Sequence, residues 1–578
     1  MESLIDSPML EGMTQEELQA AYEMWYLSFS MWAEMSGVKV DGYNFSFYGH
    51  SYLVPMYMDR SPEIVLMKSS QMGATIWMVL KAIHMCLYPE AWGFIENGER
   101  MPVNIGFYFP NRDGVNLTVK GRVEKIFKST PELLPYSNEK SRQWKPIGDS
   151  ALWFMYMGGT STKDSVPLMG ILMDEVRLMD TRDIRQAQER VSHSPIKYKV
   201  HASTAGYPKG DIHKLFLDSD QKWFHTICDK CGKDQVLPEE FPNCIAEHTY
   251  GPRKGHIYYI CKFCRLEIAD TQNGIYVPHG DPNHEASGYQ ISQLISHRIT
   301  AREVLRIYQE TDNIKEFWNA KLGMPYLDED MRPVSLEMLE SGQNVNPLAA
   351  WGVPTSETYM GIDQMSNLNY VWILSVRGTE RRTCHVEIIE DKDPFFRCGQ
   401  LMEEYNVAIC VCSYEPNTND ALAFANDFPK RVYLAKEGGY EDMHRWNDSW
   451  KPKKQLRKAE AETYYKYRVF IDKYSSILRT LEWVRDQRVT WPDPNGLIQE
   501  ATPLRGGRVE RSPIMVTHMY EHLSCPVKEK EEIGDTKKER REYVWKWRFV
   551  GVDPHGLAAL NFACTASTRK KGGGVLAF

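Results

Sequence analysis

Ile64-Val-Leu-Met-Lys68-Ser-Ser-Gln71-Met-Gly73-Ala-Thr75 decides the fold of the N-terminal half. Four apolar residues make a buried strand, small residues make a turn, and the apolar residues after Thr75 begin a helix. Such a turn offers backbone N–H groups and a helix N-terminus to phosphate oxygens. The common phosphate-binding loop ends Gly-Lys-Thr. Here Ala74 stands in the lysine slot, and a lysine opens the loop instead, at Lys68. A flexible ammonium there reaches across a β/γ-phosphate pair, and Thr75 supplies a hydroxyl to Mg²⁺. A strand with a small-residue turn is also ordinary structure, so the loop does not stand alone.

Working outward, short apolar runs at Ile64–Met67, Val103–Phe109, Leu168–Met173 and Tyr198–Ala202 alternate with helical stretches. That alternation predicts an α/β domain with a largely parallel sheet. The run Leu168-Met-Gly-Ile-Leu-Met-Asp174-Glu175 ends in two acids. Asp174 is placed to hold Mg²⁺, and Glu175 to polarise the water that attacks a γ-phosphate. The strand Lys197–Thr204 ends in Ser203 and Thr204, where phosphate state can be sensed and passed on.

Cys228-x2-Cys231 and Cys261-x2-Cys264 form two knuckles. Four thiolates at this spacing suit a closed, structural Zn²⁺ site with no open position. Cys244 lies between them as a bystander. Twelve cysteines in 578 residues are too few for a disulfide scaffold.

A second pattern starts at 359. Tyr359-Met-Gly-Ile-Asp363 is a strand carrying an acid, followed by two further strands, a helix and the strand Val407–Cys412. This is how an RNase H-like fold opens, and such folds gather carboxylates around two Mg²⁺ or Mn²⁺ ions to cut phosphodiesters. Glu415, with Asp420 close behind, supplies a second acid. Asp553, with His555 beside it, opens an apolar helix near the C-terminus. Asp553 also suits a plain helix N-cap with Pro554 at the first helical position.

At KSSQMGAT, GILMDE and HASTAGYP the chain resembles the large-terminase family, in its zinc-containing, lambda-like branch. The resemblance extends through DSDQKWFHTICDKCG and FWNAKLGMPY into the C-terminal half. It implies a P-loop ATPase domain with an inserted zinc ribbon, then an RNase H-like nuclease domain. The ATP site would comprise Lys68, Ser69, Ser70, Gln71, Met72, Gly73, Ala74, Thr75 and Asp174, with Glu175 catalytic and Ser203 and Thr204 coupling. Cys228, Cys231, Cys261 and Cys264 would hold zinc, and Asp363, Glu415 and Asp553 the nuclease Mg²⁺ or Mn²⁺. The implied work is ATP-driven packaging of double-stranded viral DNA into a procapsid, with cutting of that DNA. The implied partners are the DNA, a small terminase subunit, the portal protein and further copies of the chain in a ring.

The expected domains are an N-terminal helical segment (1–45), the ATPase domain (46–343, ribbon about 224–270), a linker (344–358) and the nuclease domain (359–578). A net charge of −8 excludes a uniformly basic coat but leaves room for a local basic groove. Lys451–Lys458 is the densest cationic stretch. No apolar run is long enough for a membrane span and the N-terminus lacks signal-peptide layout, which predicts a cytoplasmic protein; the resemblance implies the cytoplasm of a host cell, with transient docking on the procapsid. Two other readings fit parts of the sequence. One is a helicase-like or repair ATPase, which would need a second motor core. The other is a zinc-stabilised DNA-binding scaffold with inactive sites.

Overall fold

The computed structural model describes residues 26–137, 143–157, 167–328, 331–365, 367–448, 467–501, 510–533 and 542–569, with isolated positions before 26. The cationic stretch at 451–458 lies outside them. The chain divides into two compact units, Met1–Leu327 and Asp328–Phe578.

In the first unit the strands are β1 (Glu63–Lys68), β2 (Asn104–Phe109), β3 (Trp144–Ile147), β4 (Ser150–Tyr156), β5 (Gly170–Asp174), β6 (Tyr198–Ser203), β7 (Lys222–Ile227), β8 (Asp234–Gln235), β9 (Gly274–Pro278) and β10 (Ala286–Ile291). They form one sheet in the order β8-β7-β10-β1-β6-β5-β2-β4-β3, with β9 paired to β7. The strands from β10 to β4 are parallel. A parallel sheet is covered on both faces, which explains its unbroken apolar runs. Along β1, Ile64 and Leu66 enter one core, and Val65 and Met67 enter the other. The first core is closed by Trp77, Leu80 and Ile83 of the helix α2 (Ala74–Leu87).

The same core takes Phe29 and Trp32 from the short helix α1 (Phe29–Met35). The segment expected as separate at 1–45 thus packs into the first unit from Phe29 onward. The cysteine section enters after β6 and extends the sheet edge through β7, β8 and β9.

In the second unit, β11 (Thr358–Gln364), β12 (Leu368–Arg377) and β13 (Glu380–Glu390) form an antiparallel meander. β14 (Val407–Ser413) and β15 (Val432–Gly438) add in parallel beside β11. With β16 (His444–Asn447), β17 (Arg468–Asp472) and β18 (Val489–Thr490) the order is β16-β17-β15-β14-β11-β12-β13-β18. The helices α3 (Lys473–Arg485) and α4 (His555–Ala566) pack on this sheet.

The expected linker at 344–358 is not a free connection. Asn344 is buried, and its side-chain amide donates to the carbonyls of Val484 and Val489. Val345 bridges to Trp491. Val334 and Leu339 belong to the core of the second unit. The boundary therefore lies near 327/328, upstream of the two prolines that suggested it. No helix among the described residues is long and apolar enough to cross a membrane.

Candidate functional site

Lys68, at the end of β1, is buried, and its Nζ stands 3.2 Å from Oε1 of Glu175. Thr75 Oγ1 donates to Asp174 Oδ2 at 2.6 Å. These two contacts join the loop to the end of β5, across the intervening strand β6. Ser203, at the end of β6, accepts from the backbone N–H of Arg177 at 3.2 Å, so it is tied to the turn that carries Glu175. Thr204 Oγ1 is buried without a hydrogen-bond partner.

The loop differs in detail from the expected cradle. Ser69 N–H donates to Ile291 O at 2.7 Å and Ser70 N–H to Ala320 O at 2.8 Å. Those donors are spent on the fold. The donors for an anion lie further on, at the first turn of α2, where Ala74, Thr75 and Ile76 have no intrahelical acceptor. Gln71 and Gly73 take left-handed backbone angles of +59° and +84° to make the bend, and Met72 is buried beneath it. Ala74 faces the apolar core. Burial pushes the Asp174 carboxyl above its usual range, Glu175 adds to this, and Lys68 and the Thr75 hydroxyl oppose it. A divalent cation there would offset that burial.

A third segment, outside the expected site, holds the loop. Gln290 Nε2 donates to Leu322 O, and Gln293 Nε2 to Ser70 O, both at 2.8 Å. Gly323, at φ +66°, lies so close that a Cβ would meet Ile291 O at 2.5 Å and Ser69 N at 2.9 Å. In the sequence FWNAKLGMPY stands out only as part of the family resemblance, with no role assigned at the loop.

The four cysteines converge. Cys228 and Cys264 Sγ are 3.7 Å apart, as are Cys231 and Cys261, and all four lie within 4.8 Å of one another. A zinc–sulfur bond of about 2.3 Å in a tetrahedron places sulfurs about 3.8 Å apart. The knuckles share a turn: Gly232 N–H donates to Cys228 O, and Arg265 N–H to Cys261 O. Cys244 is buried in the same ribbon core but is not one of the four grouped sulfurs.

In the second unit Gly361 sets the geometry. A Cβ there would meet Ala559 O at 2.0 Å, so β11 lies directly on α4. Two residues along the strand advance about 6.7 Å, close to the rise of four helical residues. Asp363 thus reaches the start of α4, where its Oδ2 lies 2.8 Å from His555 Nδ1. Burial opposes charge on His555, but the hydrogen bond and field of Asp363, with Asp553, raise its pKa. Asp553 is exposed and does not cap the helix; Pro554 occupies the cap position. Instead, Gly556 N–H donates to His522 Nδ1 at 2.8 Å. Burial pushes His522 down to about 4, so its ring is neutral and accepts.

Glu415 lies in the exposed loop after β14, and the nearby Asp420 bonds Asn417. Neither pairs with Asp363 among the described residues. The carboxylate whose field meets Asp363 is Glu437, near the end of β15. Burial raises its pKa, Lys473 at 3.3 Å opposes this, and Asp363 adds to it. Val432–Gly438 is an apolar strand ending in an acid, the same signal that singled out Glu415. Among the described residues, the four cysteines are the only group of three or more ligating side chains drawn this close together.

Comparison with known proteins gives a partial match at the level of sequence. Residues 55–281 match the family described as phage terminase large subunit gpA, ATPase domain. No curated protein matches the chain. Among solved structures, the large terminase of bacteriophage HK97 is 12% identical, covers 93% of this chain and 98% of its own, and has a TM-score of 0.47. The large terminase of the thermophilic bacteriophage D6E, in complex with ATP-gamma-S, is 10% identical over 87% of this chain and 93% of its own, at 0.27. The large terminase nuclease of the thermophilic phage G20c is 9% identical over 37% of this chain and 85% of its own, at 0.22.

Proposed function

We propose that the chain is a phage terminase large subunit, a two-site enzyme that packages viral DNA; the match of residues 55–281 to that family's ATPase domain supports this. The first unit hydrolyses ATP to move double-stranded DNA into a procapsid, and the second unit cuts the DNA. The observation that carries the reading is the pair of contacts Lys68–Glu175 and Thr75–Asp174, which brings a phosphate-reaching cation and three magnesium- and water-directing groups to one end of one sheet.

Thr75 and Asp174 would hold Mg²⁺, which when bound offsets charge on the phosphates. Lys68 turns from Glu175 to the β/γ-phosphates. Glu175, so released, orients the attacking water and accepts its proton. Ser203, bonded to the turn after Glu175, passes the change to β6. The four cysteines would hold a structural Zn²⁺; with the shell closed by sulfur, that site takes no part in chemistry.

The second unit is read as RNase H-like because β14 lies beside β11, next to the antiparallel meander. Asp363, Asp553 and Glu437 offer hard oxygen ligands suited to Mg²⁺ or Mn²⁺, which when bound activate water and stabilise the leaving oxygen. Asp363, which now bonds His555, would be among the residues that hold the metal, and His555 is placed to hold a proton at the site. Glu415 lies outside this group. DNA, portal protein, small subunit and a ring of copies are the partners, met in the host cytoplasm.

The test is ATP hydrolysis by the full chain with and without double-stranded DNA, beside DNA cleavage in Mg²⁺ or Mn²⁺. DNA-stimulated hydrolysis together with cleavage supports the reading. A chain that binds DNA but does neither is the zinc-stabilised scaffold.

A further inference from the structure

Beyond the C-terminal end of α4, away from Asp363, three arginines converge on one cavity with no acid in its lining. Arg381 is contributed by β13, Arg479 by α3, and Arg488 by the turn that follows α3. Arg381 is 7% exposed; its Nε donates to Ser567 Oγ at 3.0 Å and its Nη1 to Thr379 O at 3.0 Å. Its guanidinium carbon lies 3.5 Å from the centre of the Trp483 ring, and that of Arg479 lies 4.5 Å from the same ring. Two cations therefore share one indole.

The partners of Arg479 do not balance its charge. Its Nη2 stands 3.2 Å from His444 Nε2, and its Nε is buried with no hydrogen-bond partner. Burial, with the field of Arg479 adding, pushes His444 down to about 3, so that ring is neutral. Arg488 is exposed, and no ion pair to it is found among the described residues. Several other arginines of this unit sit on glutamates: Arg382 on Glu380, Arg397 on Glu387 and Arg431 on Glu403. The helix end accounts for Arg381, since cations are favoured beside C-terminal carbonyls. It does not account for three guanidiniums without an acid in a chain of net charge −8.

The chemistry that satisfies such a cluster is a phosphate oxyanion, which guanidinium forks bind bidentately. We propose that Arg381, Arg479 and Arg488 form a phosphate-binding site that grips the DNA backbone at a distance from the Asp363 centre. This rests on reading the second unit as a nuclease. The twelve residues of α4 span roughly 18 Å at 1.5 Å each. Duplex DNA, carrying a charge about every 1.7 Å of axis, has phosphates to offer at both ends of that helix.

The experiment is equilibrium binding of the full chain to a short DNA duplex across a salt series, with Ca²⁺ in place of Mg²⁺. Arg479→Gln and Arg488→Gln are compared with the parent. Each variant should bind several-fold more weakly, and its slope of log affinity against log salt should fall by about 0.9 for each phosphate that is no longer neutralised. The exposed Arg488 keeps the test decisive if the Arg479 variant fails to fold. A second arm follows thermal protection by inorganic phosphate, which should be weaker in Arg488→Gln. Unchanged affinity and slope in Arg488→Gln overturn the DNA site. If phosphate protection alone is lost, the site takes a free anion and the DNA assignment falls. A parent chain that does not bind the duplex removes the nuclease reading itself.

Discussion

Lys68 Nζ lies 3.2 Å from Glu175 Oε1, so the cation assigned to the phosphates is held by the carboxylate assigned to water. Nucleotide binding must exchange that partner. Lys68→Ala should abolish hydrolysis by removing charge from the phosphate site. Glu175→Gln should also abolish it, but should keep ATP bound, because the lysine is freed and only water activation is lost. Single-turnover hydrolysis and nucleotide-retention measurements distinguish the two. Near-parental turnover in either variant removes that residue from its role.

Gly323 tests the brace behind the loop. A methyl group there meets Ile291 O and Ser69 N, the two atoms of one of the loop's own hydrogen bonds, and φ is +66°. Gly323→Ala should weaken nucleotide binding about tenfold or more while the second unit keeps DNA cleavage. Nucleotide titration reads this, and parental affinity would show that the loop needs no such support.

Zinc content follows from the sulfur geometry. The chain should carry one zinc, retained in Cys244→Ser and lost in Cys261→Ser. Since metal binding supplies folding free energy, chelation should unfold the ribbon before hydrolysis fails. Elemental analysis of fresh protein that finds no zinc contradicts this.

Lys81 gives a pH dependence. It is fully buried in α2, with Nζ 3.2 Å from Asp59 O and over the rings of Trp77 and Trp92. Burial pushes its pKa down to about 7, against the pull of Asp59. Between about pH 7 and the ordinary lysine value, the unfolded chain holds a proton that the native chain releases. The native state therefore gains stability as pH rises through that window, and the full cost of the buried charge is present below it. Lys81→Met should raise the thermal midpoint by a few degrees at pH 6, with a gain that shrinks by pH 10. An equal gain at both pH values would show that the lysine does not titrate in the fold.

The local signals were legible where chemistry and strand pattern coincide. Asp174 and Glu175 end an apolar run, and the cysteine spacing brings four sulfurs together. Pairings distant in sequence were not legible. Asn344 looked like linker because its partners, Val484 and Val489, lie some 140 positions away. Glu437 and Glu415 carry the same pattern, and only the fold separates them: Glu415 falls in the exposed loop after β14, whereas Glu437 stays within its strand, where the field of Asp363 reaches it. The capture of Ser69 and Ser70 by Ile291 and Ala320 is likewise invisible to periodicity.

Asp363 separates the two activities. Asp363→Ala should abolish DNA cleavage in Mg²⁺ or Mn²⁺ and keep ATP hydrolysis, since the two sites belong to different units. Glu437→Gln should lose most cleavage, whereas Glu415→Gln should retain it. A cleavage assay that finds the reverse order returns the third metal ligand to Glu415.

The most direct test of the whole account is DNA filling of empty procapsids by the full chain with ATP, comparing the parent with Glu175→Gln. The account predicts nuclease-protected DNA inside the shells for the parent and none for the variant, while the variant still cuts free DNA. Filling by Glu175→Gln at the parental rate, or a parent that hydrolyses ATP on DNA yet protects none, would contradict it.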